Sequence, residues 1–328
     1  MPKIQSFGLT ESASVTVLVD NMADLIMGST ETVKRFTEKP LLAAHGFSAL
    51  IDLSPSGPTI LWDAGVTGLA LVENLQRMEI DPGTIDKIAL SHGHSDHTAG
   101  VTAVLKAMDA LPPPEKWEPD ATMEQIRSHV DAHGVPLIAH PAAFRERWKI
   151  GKDGTKRGPF FPPPRGEWEA AGADIILSEG PYQLGPGCWT TGLVPRLSFE
   201  KSGRSASSAY RQGDTFLYDD VEDDQAVVMN IKSKGLVIVL GCAHSGVVNT
   251  VNYAREISGV DRVWAIVGGL HLARAEAWEI QRTIDEVQKF DPVMVVPSHC
   301  TGFKAVCQFA ARMPDQFVLG LVGTTYLF

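Results

Sequence analysis

The sequence is poor in cysteine, and no two of its cysteines stand in a C-x-x-C spacing. Only four are found among 328 residues: Cys188, Cys242, Cys300 and Cys307. So few thiols argue against the disulfide framework of a secreted protein and favour a reduced setting. Residues 1–5 lead directly into polar sequence, without the apolar core of a signal peptide. We therefore expect a cytoplasmic protein.

Long apolar runs and excess positive charge are missing as well. No uninterrupted apolar run approaches eighteen residues, so no membrane span is expected. The formal net charge of −10 argues against a broad nucleic-acid-binding surface. This net charge is compatible with a small anionic substrate that is bound by a few local Lys or Arg residues. A hydrophobic content of 44% is typical of a globular chain with a large core.

The order of predicted elements indicates an α/β fold. Short β-branched strands dominate the first third, and strands alternate with helices in the second half. The second-half strands are expected near 226–231, 236–240, 263–267 and 293–296, and the helices near 246–257 and 273–290. This order predicts an αββα sandwich, in which helices flank two mixed β-sheets.

We expect one domain over 1–328, with an insertion or lid at about 111–166. Two triple-proline runs bracket this segment, which has little periodicity. Its basic stretch 149–158 either binds a substrate phosphate or forms a solvated loop. The acidic cluster at 219–224 predicts a solvated turn. The apolar tail from Phe317 predicts a final core strand or, alternatively, a contact in a homodimer.

One turn after a predicted strand is crowded with ligand-type side chains. The stretch "SHGHSDHTAG" (91–100) holds three of the ten histidines. His92 and His94 can converge on one metal ion, while Asp96 and His97 can face a second. Imidazole and carboxylate suit Zn, with Mn or Fe as alternatives. Two ions about 3.5–4 Å apart can share a hydroxide and hold a reacting oxygen.

Three more histidines follow predicted strand ends, where α/β sheets place their sites. They are His244 in "GCAHSG", His271 in "GGLHL" and His299 in "PSHC". Each alone also fits a structural histidine, but together they predict a metal centre.

The pattern H-x-H-x-D-H after an apolar strand, with the preceding "WDAG", resembles the metallo-β-lactamase superfamily. The stretches "VLVDN", "GCAHSGVVNT", "GGLHL" and "PSHCTG" are similar to one branch of its metal-dependent hydrolases. That branch includes the 7,8-dihydropterin-6-yl-methyl-4-(β-D-ribofuranosyl)aminobenzene 5′-phosphate synthases of methanopterin biosynthesis. The resemblance extends over 17–302 and implies an αββα sandwich with the metals at one sheet edge.

The resemblance also implies a ligand set. It gives one metal to His92 and His94, and the other to Asp96, His97 and His299.

Two departures from the family pattern affect this ligand set. The stretch 189–196 lacks the usual third histidine of the first site, and Cys242 stands where a bridging aspartate is usual. We infer that His244 replaces one of these ligands, with the Cys242 thiolate as a weaker option. One or two Zn ions are therefore expected.

Other residues are candidates for supporting roles. Asp63 is expected either to hydrogen-bond a ligand histidine or to be an ordinary turn residue. Asn21 and His140 follow predicted strands and are candidates for substrate binding. Asp96 and His271 are the catalytic candidates: Asp96 would ligate and orient the nucleophile. His271 would protonate the leaving group or act as a further ligand.

The expected function is that of a metal-dependent hydrolase. A metal-bound hydroxide would attack an ester or phosphoester bond of a small-molecule substrate. Whether that substrate is phosphorylated is left open. Neither a nucleic acid nor a membrane is expected as a partner. Two alternatives stay open: a dihydropterin-type transferase that displaces diphosphate, and a non-catalytic metal- or ligand-binding protein. A cavity with aromatic walls and a basic diphosphate cradle would favour the transferase.

Overall fold

A computed structural model of the chain describes residues 3–53, 55, 57–109, 122–123, 134–200 and 207–328. In chain order, the strands are β1 Ser14–Val19, β2 Val33–Arg35, β3 Ser48–Asp52, β4 Thr59–Trp62, β5 Lys87–Ala89, β6 Val135–Ala139, β7 Arg147–Ile150, β8 Lys156–Phe160, β9 Ala173–Leu177, β10 Gln183–Gly185, β11 Cys188–Thr190, β12 Ser208–Gln212, β13 Thr215–Tyr218, β14 Ala226–Ile231, β15 Gly235–Leu240, β16 Val263–Gly269, β17 Met294–Ser298 and β18 Thr324–Leu327. The α-helices of these residues are α1 Gly68–Arg77, α2 Ser95–Thr98, α3 Val101–Ala107, α4 Arg165–Ala170, α5 Val247–Ser258, α6 Ala277–Lys289 and α7 Phe303–Arg312.

Two large mixed sheets form the centre of the molecule. The eight-stranded sheet has the order β2-β18-β1-β3-β4-β5-β6-β9, and the six-stranded sheet has the order β10-β11-β14-β15-β16-β17. Strands β4, β5, β6 and β9 run parallel, as do β15, β16 and β17. Their carboxyl ends therefore meet at one edge of each sheet, which is where parallel sheets place their functional side chains.

Apolar side chains fill three layers between and outside the sheets. Val17, Ile51 and Trp62 of the eight-stranded sheet meet Val239 and Val267 of the six-stranded sheet in the central layer. Helices α1, α3 and α4 cover the outer face of the larger sheet. Helices α5, α6 and α7 cover the outer face of the smaller one. The predicted αββα sandwich is confirmed.

A small antiparallel sheet of order β13-β12-β7-β8 stands apart from the sandwich. Arg147 of β7 anchors it, because its buried guanidinium pairs with Asp219 at 2.9 Å and Asp223 at 2.5 Å. The prediction of a solvated turn at 219–224 is wrong for Asp219, Asp223 and Asp224, which are all buried. The charge of Arg147 offsets much of the cost of burying the first two carboxylates.

The predicted insertion at 111–166 is described only in part, since 110–121 and 124–133 lie outside the described residues. Within it, β6 belongs to the eight-stranded sheet, while β7 and β8 form a hairpin of the small sheet. The single domain with its insertion stays a prediction.

The apolar tail ends in β18, which lies between β1 and β2 in the eight-stranded sheet. This confirms the expected final core strand, while the homodimer stays a prediction. None of the helices in the described ranges has the length and hydropathy of a membrane span.

The Arg147 ion pairs give a test of how the small sheet is held. We expect Arg147→Met to lower the free energy of unfolding by about 3–5 kcal/mol, because two buried carboxylates lose their counter-charge. Urea denaturation measures this loss. The control is Arg165→Met, which removes an exposed ion pair with Glu169 and should cost less than about 1 kcal/mol. Equal effects of the two changes would contradict this account of the anchor.

Candidate metal centre

Several residues at or near the carboxyl ends of the strands, where the candidate site lies, have unusual backbone conformations. Four non-glycine residues there have left-handed φ angles: Asp63 at 58°, Ala243 at 53°, His271 at 48° and His299 at 46°. Such conformations cost on the order of 1–3 kcal/mol each and tend to cluster at functional sites. The surrounding packing must therefore hold this edge in place.

Two glycines allow close packing at this edge: Gly93 within the eight-stranded sheet, and Gly241 between the two sheets. A Cβ on Gly93 would overlap the carbonyl oxygen of Ala143, and a Cβ on Gly241 would overlap Ser91 Oγ. The amide of Gly93 also donates to Asp223 Oδ2 over 2.7 Å. The loop after β5, which carries the H-x-H-x-D-H pattern, is thus packed directly against the end of β15.

The first ligand group consists of three histidines. His92 Nε2 lies 3.0 Å from His94 Nδ1 and 3.2 Å from His244 Nε2. His94 and His92 come from the loop after β5, and His244 comes from the loop after β15. His244 therefore lies where a third histidine ligand of the first site is needed, although the stretch 189–196 supplies none.

The second ligand group consists of Asp96, His97, Cys242 and His299, whose ligand atoms all lie within 4.8 Å of one another. His97 Nε2 is 3.1 Å from Cys242 Sγ, and His299 Nε2 is 3.4 Å from Asp96 Oδ2. This group contains the three residues that the resemblance assigns to the second metal.

Cys242 is a member of the second group and also adjoins the histidines of the first. Its Sγ also lies within 4.8 Å of the ligand nitrogens of His92 and His244. Burial raises the pKa of the Cys242 thiol well above its usual range, and a coordinating cation would remove the proton. Sequence analysis ranked this thiolate below His244, but the structure places both side chains at the centre.

The donor atoms fit bound metal ions. Around a tetrahedral ion with Zn–N bonds of 2.0–2.1 Å, ligand nitrogens stand about 3.3–3.4 Å apart, close to the separations seen here. Burial lowers the pKa of His94 to about 3 and holds those of His92 and His244 well below their usual value, so these rings are neutral at pH 7. Buried His299 Nε2 has no hydrogen-bond partner among the described residues. Imidazoles, a carboxylate and a thiol form a set that suits zinc.

Hydrogen bonds behind the ligands fix their tautomers. Ser91 Oγ donates its single proton to Asp63 Oδ2 over 2.7 Å, so in its contact with His92 Nδ1, 2.9 Å away, it is the acceptor. Asp63 Oδ2 also accepts from His97 Nδ1 over 2.7 Å. The Nε2 atoms of both histidines are therefore free to face the centre. The predicted hydrogen bond between Asp63 and a ligand histidine is confirmed.

The electrostatics of the second group follow from the carboxylate of Asp96 and from that of Asp63, which lies behind His97. Burial opposes a charge on His97, yet Asp63 and Asp96 raise its pKa to about 9. Burial also opposes a charge on Asp96, but His97 and His299 hold its pKa well below the usual range. Asp96 is therefore ionised at neutral pH and available as a ligand.

Asn21 lies beside His299. Its Oδ1 is 3.3 Å from His299 Nδ1, and its side-chain amide donates to the His299 carbonyl over 3.2 Å. Asp20 Oδ1 accepts from the His299 amide over 2.9 Å. Both residues orient this ligand, and the role of Asn21 in substrate binding stays a prediction.

The other two histidine candidates lie in different surroundings. The His271 ring is half-buried, with its centroid 4.3 Å from that of His244, so it borders the first group. His140 ends β6, and its Nδ1 accepts from the Ala142 amide over 3.1 Å. The role of His140 in substrate binding stays a prediction.

Comparison with known proteins decides the family. Residues 43–299 match the model of the metallo-β-lactamase superfamily. The chain belongs to this superfamily. It is 29% identical over 304 residues to the 7,8-dihydropterin-6-methyl-4-(β-D-ribofuranosyl)-aminobenzene-5′-phosphate synthase of Methanocaldococcus jannaschii, covering 89% of this chain and 95% of that one. An uncharacterised protein of the same organism is 29% identical over 314 residues, which cover 94% and 98% of the two chains.

Solved structures share the fold of this superfamily member. Tm1679, described as a metal-dependent hydrolase of the β-lactamase superfamily, superposes with a TM-score of 0.70 at 19% identity, covering 95% of this chain and 98% of that one. The metallo-β-lactamase-fold protein YhfI of Bacillus subtilis gives a TM-score of 0.51 at 13% identity, over 97% and 100% of the chains. The resemblance inferred from the motifs is thereby confirmed.

Sequence analysis missed Ser91 and undervalued Cys242. The position of Ser91 directly before the first motif histidine was a usable signal, since a hydroxyl there can reach the adjacent ring. For Cys242, the signal was its position at the usual bridging aspartate.

The Asp63 carboxylate gives a test of how the second ligand group is oriented. We expect Asp63→Asn to weaken metal binding about 10–100-fold, because an amide oxygen holds the His97 tautomer less firmly than a carboxylate. Competition with a chromogenic chelator measures the affinity. Asp52→Asn, on the more distant β3, serves as the control. An unchanged affinity in Asp63→Asn would contradict the orienting role.

Proposed function

We propose that the protein is a metal-dependent hydrolase that cleaves an ester or phosphoester bond of a small molecule. The observation that carries this proposal is the pair of donor groups that share Cys242 Sγ. The first would be completed by His92, His94 and His244, and the second by Asp96, His97 and His299. Zinc is the metal that this set of nitrogen, oxygen and sulfur donors favours, in one or two ions.

The chemistry divides between the metals and the chain. When bound, such ions acidify a water and polarise the bond under attack. Asp96, ionised at neutral pH, accepts a hydrogen bond from the attacking water and so sets its direction. The water oxygen bonds to phosphorus or to the acyl carbon while the bond to the leaving oxygen breaks. Asp96 takes one proton from the water. Burial lowers the pKa of His271, so its neutral ring receives this proton from Asp96 and gives it to the leaving oxygen.

A transferase is the second candidate, because the synthase of M. jannaschii is similar to this chain along nearly its whole length. In that reaction class, a carbon–oxygen bond to diphosphate breaks, and an incoming nucleophile bonds to the same carbon. The nucleophile then loses a proton, and diphosphate leaves. The same donor groups would serve here by stabilising the charge that develops on the departing diphosphate.

Hydrolysis is tested with a panel of phosphomonoesters, phosphodiesters and lactones, using zinc-loaded protein. We expect turnover of at least one ester class, and a loss of at least about 100-fold in His94→Ala, because that variant removes a first-group ligand. Elemental analysis should show fewer ions per chain in the variant. If the wild-type protein binds metal but hydrolyses none of these substrates, the hydrolase proposal is contradicted. The transferase reaction would then be assayed by diphosphate release.

The role of His271 is tested by the leaving group. We expect His271→Ala to lower kcat by about 100-fold or more for esters with poor alcohol leaving groups, since these need a proton. Esters of p-nitrophenol leave without a proton and should lose far less. A merely structural role would lower both rates equally, and that result would remove His271 from the mechanism.

A further inference from the structure

Two free cysteines meet at the carboxyl ends of β15 and β17. Cys242 follows β15, and Cys300 lies in the turn His299–Thr301 that follows β17. The Cys300 thiol donates to the Cys242 carbonyl oxygen over 3.6 Å. Burial is the main cause that raises the pKa of Cys242, and a hydrogen bond between its thiol and that of Cys300 raises it further. The two sulfur atoms are therefore neighbours.

Strand β16 lies between β15 and β17, and its last residue, Gly269, leaves room for this contact. A Cβ on Gly269 would lie 2.7 Å from Cys300 Sγ and 3.3 Å from the Cα of Cys242. Since glycine has no Cβ, no side chain from β16 separates the two cysteines there. The amide of Gly269 donates to the Gly241 carbonyl over 3.0 Å, which holds the segment that carries Cys242 beside it.

The two thiols differ in exposure and in their other contacts. Cys242 is buried, and its Sγ lies 3.1 Å from His97 Nε2. Cys300 is half-buried and belongs to neither candidate ligand group among the described residues. Because oxidation of a thiol depends on its access to solvent, an oxidant would reach Cys300 first. Cys242 is then placed to attack the oxidised sulfur.

We propose that Cys242 and Cys300 form a reversible disulfide that releases metal from the centre. A sulfur atom bonded to a second sulfur is no longer a thiolate ligand. Since Cys242 Sγ adjoins both ligand groups, its loss weakens metal binding at both. This regulation rests on the metal centre of the proposed function, but not on the reaction that the centre catalyses. Cytosolic disulfides are usually transient and catalytic or redox-sensing, which fits a switch of this kind.

A hydroperoxide supplies the oxidising equivalents. Its terminal oxygen bonds to Cys300 Sγ while the O–O bond breaks, and the thiol proton leaves with the departing oxygen. Cys300 is then a sulfenic acid. The Cys242 sulfur attacks Cys300 Sγ, the S–O bond breaks, and the departing hydroxide leaves as water with the proton that the Cys242 thiol has given up. The two thiols lose two electrons, which the hydroperoxide gains, and a dithiol reductant reverses the oxidation by exchange.

The test treats zinc-loaded protein with hydrogen peroxide in small excess. We expect one disulfide, seen as the loss of two hydrogen atoms from the intact mass and as a peptide that links Cys242 to Cys300. Zinc should be released as the link forms, as measured with a chromogenic chelator. A dithiol reductant with added zinc should restore the metal content. Oxidation that stops at a sulfinic acid of Cys242, or a link that forms without zinc release, would overturn the proposal.

Matched variants isolate the cysteine pair. Cys300→Ser keeps every candidate ligand, so it should bind zinc as the wild type does, yet release it at least tenfold more slowly under peroxide. Cys307→Ser removes the exposed thiol of α7 and should match the wild type in both measurements. Equal release rates in Cys300→Ser and wild-type protein would overturn the proposal, because oxidation of Cys242 alone would then explain the loss. The peptide map of the wild type decides the question even if Cys300→Ser binds zinc poorly.

The outcomes also separate this proposal from the hydrolase proposal, since neither measurement needs a substrate. Reversible zinc release through the disulfide, with no ester hydrolysed by the reduced protein, would support the switch and contradict hydrolysis. Ester hydrolysis that survives peroxide treatment, with the four thiols still free, would do the reverse.

Discussion

The close contact between the end of β15 and the motif loop is the constraint on which the site depends. Gly241 lies directly against Ser91, with no room for a side chain. Because the strand comes this near, the next residue places Cys242 Sγ 3.1 Å from His97 Nε2. The same approach sets His244 against His92. If the two sheets were held farther apart, His244, Cys242 and His299 of the smaller sheet would lose contact with the ligand residues of the motif loop, and both donor groups would be split.

Because the contact between the end of β15 and the motif loop is buried, it lowers the pKa values of the histidines packed there. Several imidazoles packed together away from water cannot all carry protons, and the pKa values of His92, His94 and His244 are lowered accordingly. His92 Nε2 lies 3.0 Å from His94 Nδ1 and 3.2 Å from His244 Nε2, and a bound cation would be stabilised by these neighbouring nitrogens. Asp63 and Ser91 supply the hydrogen bonds that fix which nitrogen of each ring faces inward. The left-handed residues at the strand ends add to the cost of the arrangement.

Much of this could be predicted from the sequence, because it depends on local patterns. Alternating and continuous apolar runs identified the strands, and the spacing in H-x-H-x-D-H identified the centre. His244 was inferred from its position after a strand. What failed depends on distant partners: the acids at 219–224 read as a solvated turn because Arg147, which neutralises Asp219, lies 72 residues away in the chain. Cys242 was ranked low because no linear pattern shows that one atom reaches both groups.

The cavity beside the metal centre also could not be predicted from the sequence, because it depends on the pairing of distant strands. Nothing in the stretch 149–158 distinguishes a solvated basic loop from a binding surface until β7 and β8 pair. Pairing of β7 with β12 sets Lys149 opposite Ser208, and pairing of β7 with β8 brings Trp148 and Phe160 to the cavity beside the site. The sandwich thus provides the candidate metal ligands, and the small sheet provides one wall of the cavity beside them.

X-ray absorption of zinc-loaded protein tests the central claim, that one thiolate joins two donor groups. The account predicts about one sulfur per zinc at about 2.3 Å and a second zinc at about 3.5–4 Å. Both signals should vanish or weaken in Cys242→Ser and persist in Cys307→Ser, whose cysteine is exposed on α7. A spectrum with only nitrogen and oxygen neighbours in the wild-type protein would contradict the account.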